Sequence, residues 1–152
     1  MVRRKEECKV EYRENIRGGE GTGIAVSLIA GPEELNNKGR LFNRMTLNPG
    51  SSIGYHVHEN DAELFYILSG TGVYSDNGTD VEVKPGDVAI CETGHGHSLT
   101  NTGVDALEFI AVIVYASQEK KSLRRKPVSD KDAVRVLLLS LSSRHEGQSV
   151  TN

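Results

Sequence analysis

The stretch from Gly50 to Gly70, GSSIGYHVHENDAELFYILSG, restricts the fold of this chain more than any other. It places two imidazoles, His56 and His58, two residues apart, and a carboxylate, Glu63, at the head of an apolar run. Residues two apart on a strand point the same way, about 6–7 Å apart along the backbone, so both imidazoles face one side. Glu63 opens the following strand, where its same-face companions are Phe65 and Ile67. A carboxylate among such neighbours is costly to bury unless it is paired or bound to a cation. Further imidazoles come from Gly94-His95-Gly96-His97, well downstream. The chain therefore needs a fold in which distant strands meet at one point.

The rest of the sequence supplies such strands. Short apolar runs at residues 23–30, 41–47, 63–70, 88–91, 97–101 and 107–115 are separated by Gly31-Pro32, Asn48-Pro49-Gly50, Pro85-Gly86-Asp87 and Thr102-Gly103. Residues 73–74 and 81–83 flank Ser75-Asp76-Asn77-Gly78, and Asn-Gly favours the positive φ angles of a tight hairpin. Many short strands with close, regular turns predict an all-β sandwich or barrel. On the strand that Glu63 opens, Leu64, Tyr66 and Leu68 make the second face apolar as well. That face should be covered by another sheet or a second subunit.

The two ends read differently. Residues 1–21 are charged and finish in Gly18-Gly19-Glu20-Gly21, which predicts an N-terminal arm with a Gly-rich loop. Those glycines lack the preceding strand, Lys-Ser/Thr and helix of a phosphate cradle. The barrel is expected over 22–116. Over 117–152, a basic linker with Lys120, Lys121, Arg124, Arg125 and Lys126 leads to a short amphipathic helix at 130–142 and a flexible tail. A hydrophobic fraction of 37% fits a chain with such extensions. With 18 Lys and Arg against 21 Asp and Glu, the net charge of -3 gives no global attraction to nucleic acid. No apolar run approaches the ~20 residues of a membrane span, and the N-terminus has no signal-peptide core, so a cytoplasmic protein is expected. Two cysteines, Cys8 and Cys91, make no disulfide framework.

Three neutral imidazoles (His56, His58, His97) and one carboxylate (Glu63) suit a first-row divalent ion, and an octahedral ion would keep two positions open for oxygen ligands. Four of the five histidines fall in these two segments. His95, in the glycine-rich turn, is either a proton-transfer group at the mouth or a rim imidazole. Arg44, Met45, Tyr55, Phe65, Cys91 and Phe109 are candidate pocket walls. An inward Arg44 would favour a carboxylate or phosphate on the ligand.

The pattern Gly50-x5-His56-x-His58-x4-Glu63-x6-Gly70 resembles the first cupin motif at every fixed position. Gly86-x5-Glu92-x-Gly94-x2-His97-x3-Asn101 is similar to the second, with Glu92 where a proline is usual. The resemblance spans residues 22–115. It implies a double-stranded β-helix, that is a jelly-roll barrel, holding one divalent transition metal (Mn, Fe, Ni, Cu or Zn) through His56, His58, Glu63 and His97. It also implies a homodimer with N-terminal strand exchange. The implied activity is that of an oxygenase, isomerase or decarboxylase/lyase acting on an organic acid, keto/enol compound or sugar. The alternative is a non-catalytic module that binds or senses a sugar or organic acid through the same metal.

Overall fold

The computed structural model describes residues 1–116. Ten strands follow in order: β1 (Lys9–Glu14), β2 (Thr22–Ser27), β3 (Gly39–Leu47), β4 (Ser52–Val57), β5 (Asp61–Ser69), β6 (Gly72–Asp76), β7 (Thr79–Val83), β8 (Val88–Cys91), β9 (Gly96–Asn101) and β10 (Leu107–Tyr115). They form a six-stranded sheet, ordered β1-β2-β3-β10-β5-β8, and a four-stranded sheet, ordered β4-β9-β6-β7. All pairings are antiparallel. The all-β jelly-roll expectation therefore holds. Helix is confined, among the described residues, to 3-10 turns at Lys5–Glu7, Ile16–Gly18 and Pro32–Leu35. The expected linker, helix and tail at 117–152 lie outside the described residues.

Alternation along the strands builds the core. Leu47, Phe65, Ile67, Leu107 and Phe109 from the larger sheet meet Ile53, Tyr74 and Leu99 from the smaller. Full burial of each large apolar side chain contributes about 1.5–3 kcal/mol relative to exposure. The Asn77-Gly78 hairpin forms as expected, with φ of 49° and 91° at its two central residues.

One expectation needs correction. The segment 1–21 is not only arm and loop, because Lys9–Glu14 pairs along its whole length with Thr22–Ser27. The signal was a period of two, with Val10 and Tyr12 alternating with Lys9, Glu11 and Arg13.

A second local feature sets the site. Between β4 and β9, Ile53 lies opposite Leu99 and His56 opposite His97, so two residues, Gly54 and Tyr55, stand against the single residue Ser98. Strand β4 thus carries a β-bulge at Gly54-Tyr55. Without it, alternation would place Tyr55 and Val57 on the inner face with Ile53, and both histidines outside. The bulge returns His56 and His58 to the interior, a use of bulges that recurs beside functional sites.

Candidate metal centre

The bulged strand, the start of β5 and the start of β9 bring four side chains to one point. His58, Glu63 and His97 are buried, and the His56 side chain is 16% exposed. One oxygen of Glu63, Oε2, stands 3.0 Å from His97 Nε2, 3.2 Å from His58 Nε2 and 3.7 Å from His56 Nε2. His97 Nε2 is 3.1 Å from that of His58 and 3.3 Å from that of His56. All four ligand atoms lie within 4.8 Å of one another.

The other ring nitrogens explain this convergence. His56 Nδ1 is 2.9 Å from the carbonyl of Gly54, so the bulge that re-aims the ring also fixes its tautomer as a donor to that oxygen. His58 Nδ1 lies 2.5 Å from Asp61 Oδ1, and Asp61 Oδ2 accepts from Arg40 Nε at 2.8 Å. His97 Nδ1 is buried with no hydrogen-bond partner among the described residues. Packing orients that ring instead, stacked on Phe65 at 5.1 Å and edge-on to Tyr74 at 5.5 Å.

The Nδ1 contacts of His56 and His58 turn their Nε2 atoms towards Glu63, where Nε2 of His97 joins them, so three imidazole nitrogens and a carboxylate crowd one point that a shared proton or a cation would satisfy. Donors about 2.1 Å from one ion stand about 3.0 Å apart at right angles and about 3.4 Å apart at tetrahedral angles. The observed separations bracket both values, so the donor set fits a divalent transition metal.

The charges agree. Burial raises the Glu63 carboxyl, but hydrogen bonds from His56, His58 and His97 outweigh it and hold the group well below the usual carboxylate range. The hydrogen bond to Glu63 raises His58 above the ordinary imidazole value, whereas burial lowers His97. For Asp61 burial works upward, and hydrogen bonds from His58 and Arg40 bring the net shift down.

The centre opens into a cavity of about 460 Å³ whose wall includes His56, Glu63, Met45, Phe65, Arg13, Glu14, Arg17 and Arg40. Of the candidate pocket residues, Met45 and Phe65 therefore reach the cavity. Arg44 does not, because alternation turns it outward to an ion pair with Glu108, at 50% side-chain exposure. Tyr55 is turned outward over Gly96, where a Cβ would meet its hydroxyl oxygen at 2.4 Å. Phe109 is wholly buried behind Phe65. Cys91 is buried beside Glu63 in register, and burial pushes its thiol up to about 11. His95 is exposed and borders a separate depression with Asp76, Asn77, Thr79, Ile90 and Glu92. Sequence reasoning missed Arg13, Glu14, Arg17 and Arg40, three of which lie in the segment it assigned to an arm.

Residues 43–113 match the Cupin domain family. An "Oxalate-binding protein" from Thermotoga maritima is 48% identical over 114 residues, covering 75% of this chain and 93% of that protein. A crystal structure from Thermotoga maritima, described as a "predicted oxalate decarboxylase", superposes with a TM-score of 0.73 at 48% identity, over 76% of this chain and 100% of the other. A mannose-1-phosphate guanylyltransferase from Klebsiella pneumoniae is 33% identical over 70 residues, which span 46% of this chain but 15% of the enzyme.

Proposed function

The chain belongs to the cupin family, and from that premise we propose that it binds a small dicarboxylate of the oxalate class at a divalent metal held by His56, His58, Glu63 and His97. The observation that carries the reading is the convergence of these four donors on one point, with His56 and Glu63 lining the cavity beside it. When bound, the metal would supply a Lewis-acid centre with positions open to paired ligand oxygens. A divalent charge beside one carboxylate leaves about one net positive charge, which attracts an anion. Met45, Phe65 and Ile113 give the cavity an apolar side that limits water around the bound ligand. The 48% identical relative named "Oxalate-binding protein" supports oxalate as the first ligand to test.

A second reading is turnover. Among the described residues Glu14 is the one carboxylate other than Glu63 that lines the cavity, and decarboxylation breaks a C–C bond and requires a proton at the carbon left behind. Calorimetry with oxalate on protein of known metal content tests binding, and formate release from the same samples tests turnover. Saturable binding without formate would leave a binding protein. No binding by metal-loaded protein would overturn both readings.

The same reading includes a homodimer. On the outer face of the larger sheet, Tyr66 lies between Ile110 and Val88, and Leu64 between Val112 and Ile90. Tyr66, Val88 and Ile90 are 47%, 58% and 52% exposed, a contiguous apolar strip of the kind that marks interfaces. Light scattering should give twice the chain mass, and Tyr66→Lys should halve it. A monomeric wild type would refute this part.

A further inference from the structure

We propose that Arg17, on the loop between β1 and β2, is a specificity-determining residue that receives the carboxylate of the ligand not held at the metal. The proposal rests on the dicarboxylate reading above and adds the residue that would select for a second carboxylate.

The loop is built into the site. After β1 the chain turns through Asn15 and Arg17, both in the left-handed region at φ of 49° and 55°, and Gly18 at 78°. Arginine does not favour that region, so surrounding contacts must impose it. They are visible. The Asn15 amide donates to Gly21 O and the Gly19 amide to Ile16 O, both at 3.0 Å. Ser52 N donates to Glu20 O at 2.8 Å, and Ser52 Oγ accepts from Glu20 N at 2.9 Å. Backbone meets backbone at Gly54, where a Cβ would lie 2.4 Å from Arg17 O. Gly54 is the bulge residue whose carbonyl orients His56. The loop and the metal centre thus share one anchor, and Arg17, an exposed residue of that loop, borders the cavity.

Three arginines border that cavity, and the guanidiniums of two are committed. Arg13 donates to Glu11 at 2.7 Å, and Arg40 donates to Asp61, which in turn holds His58. Among the described residues Arg17 makes no ion pair and no side-chain hydrogen bond. Charge counting gives it a role: a divalent ion with Glu63 carries +1, a bound dicarboxylate brings −2, and one further cation restores neutrality. Its planar fork suits a carboxylate. Glu14, on the same wall, works against the anion.

The test is calorimetric titration of full-length, metal-loaded protein with oxalate and with glycolate, which has one carboxylate, alongside metal analysis and thermal unfolding. Arg17→Asn is the main variant, because asparagine tolerates the left-handed region and leaves the loop intact. Arg17→Asn should keep full metal content and melting temperature, lose about 10–100-fold in oxalate affinity, and lose less than about 3-fold for glycolate. Arg17→Lys should recover part of the loss, and Glu14→Gln should tighten oxalate. If wild type binds oxalate and Arg17→Asn binds it within twofold, the assignment of Arg17 is wrong while the dicarboxylate reading stands. Equal losses for oxalate and glycolate would also overturn it, by removing the selectivity. If metal-loaded wild type binds no oxalate, the reading beneath it fails first.

Discussion

Gly54→Ala tests whether the N-terminal loop and the metal centre are one mechanical unit. A Cβ at Gly54 would lie 2.4 Å from Arg17 O, 2.7 Å from Gly19 N and 2.8 Å from Gly18 C. Each distance is roughly 0.7–1 Å inside ordinary contact, and all three partners are backbone atoms that no rotamer change can move aside. The methyl therefore either lifts the loop or flattens the bulge. Overpacking of this kind costs about 1–3 kcal/mol. Lifting the loop also strips the two Ser52–Glu20 hydrogen bonds, at about 1 kcal/mol each, which puts the expected loss at about 3–5 kcal/mol. Urea unfolding of apo wild type and variant at pH 7 reads this directly, as a lower midpoint at unchanged slope. Because Gly54 O orients His56, metal affinity should fall in the same variant. A stability change below about 0.5 kcal/mol with unaltered metal affinity would show that loop and centre are independent.

Three further outcomes follow from the same geometry. Asp61→Asn removes the charged acceptor of His58 Nδ1 and the partner of Arg40, so metal affinity measured by competition with a chelator should fall about 10–100-fold with the ligands intact. Stripping metal with a chelator should destabilise the fold by about 2.7 kcal/mol relative to protein held at a hundredfold excess over the dissociation constant, and His97→Gln should abolish that difference. Cys91, with its thiol held up to about 11, should be alkylated at pH 8 at least ~100-fold more slowly in the folded protein than in denaturant, as mass spectrometry would show. The neutral thiol is common to both states near pH 7. Above the ordinary thiol value the unfolded chain ionises first, so this residue favours unfolding as pH rises towards 11. Alkylation of native protein at the denatured rate would contradict that burial.

The ligands were legible because their identity and spacing are both written in the chain. His56, His58 and His97 belong to a residue type that occurs five times in the chain, and they stand at fixed separations from one another and from Glu63, which heads an apolar strand. The bulge was not legible, since Gly54-Tyr55 looks like any glycine within a strand and its effect appears only in the register against Ile53, Leu99 and His97. A strict alternation from Ile53 would have turned both histidines outward. The pattern Gly-x-His-x-His therefore encodes a ligand pair only together with one extra residue that sequence periodicity cannot count.

Strand β1 shows a different obstacle. Its alternation was present, but with the sides reversed: Glu11 and Arg13 lie on the half-buried side, and Arg13 reaches the cavity, while Val10 and Tyr12 face outward at 51% and 83% exposure. A strand that keeps its charges inside and its apolar residues outside reads as a solvated arm under ordinary burial rules. The reversal has a physical reason if the inside is a polar cavity and the outside awaits a cover. Val10 and Tyr12 lie opposite Val26 and Ile24, which extends apolar character along the outer face of the sheet whose other end carries Tyr66, Val88 and Ile90. The charges at the mouth and the apolar face that is exposed among the described residues are then two consequences of one strand. The polarity that places Arg13 and the following loop at the cavity also turns Val10 and Tyr12 onto the outer face, the face that the proposed dimer would bury.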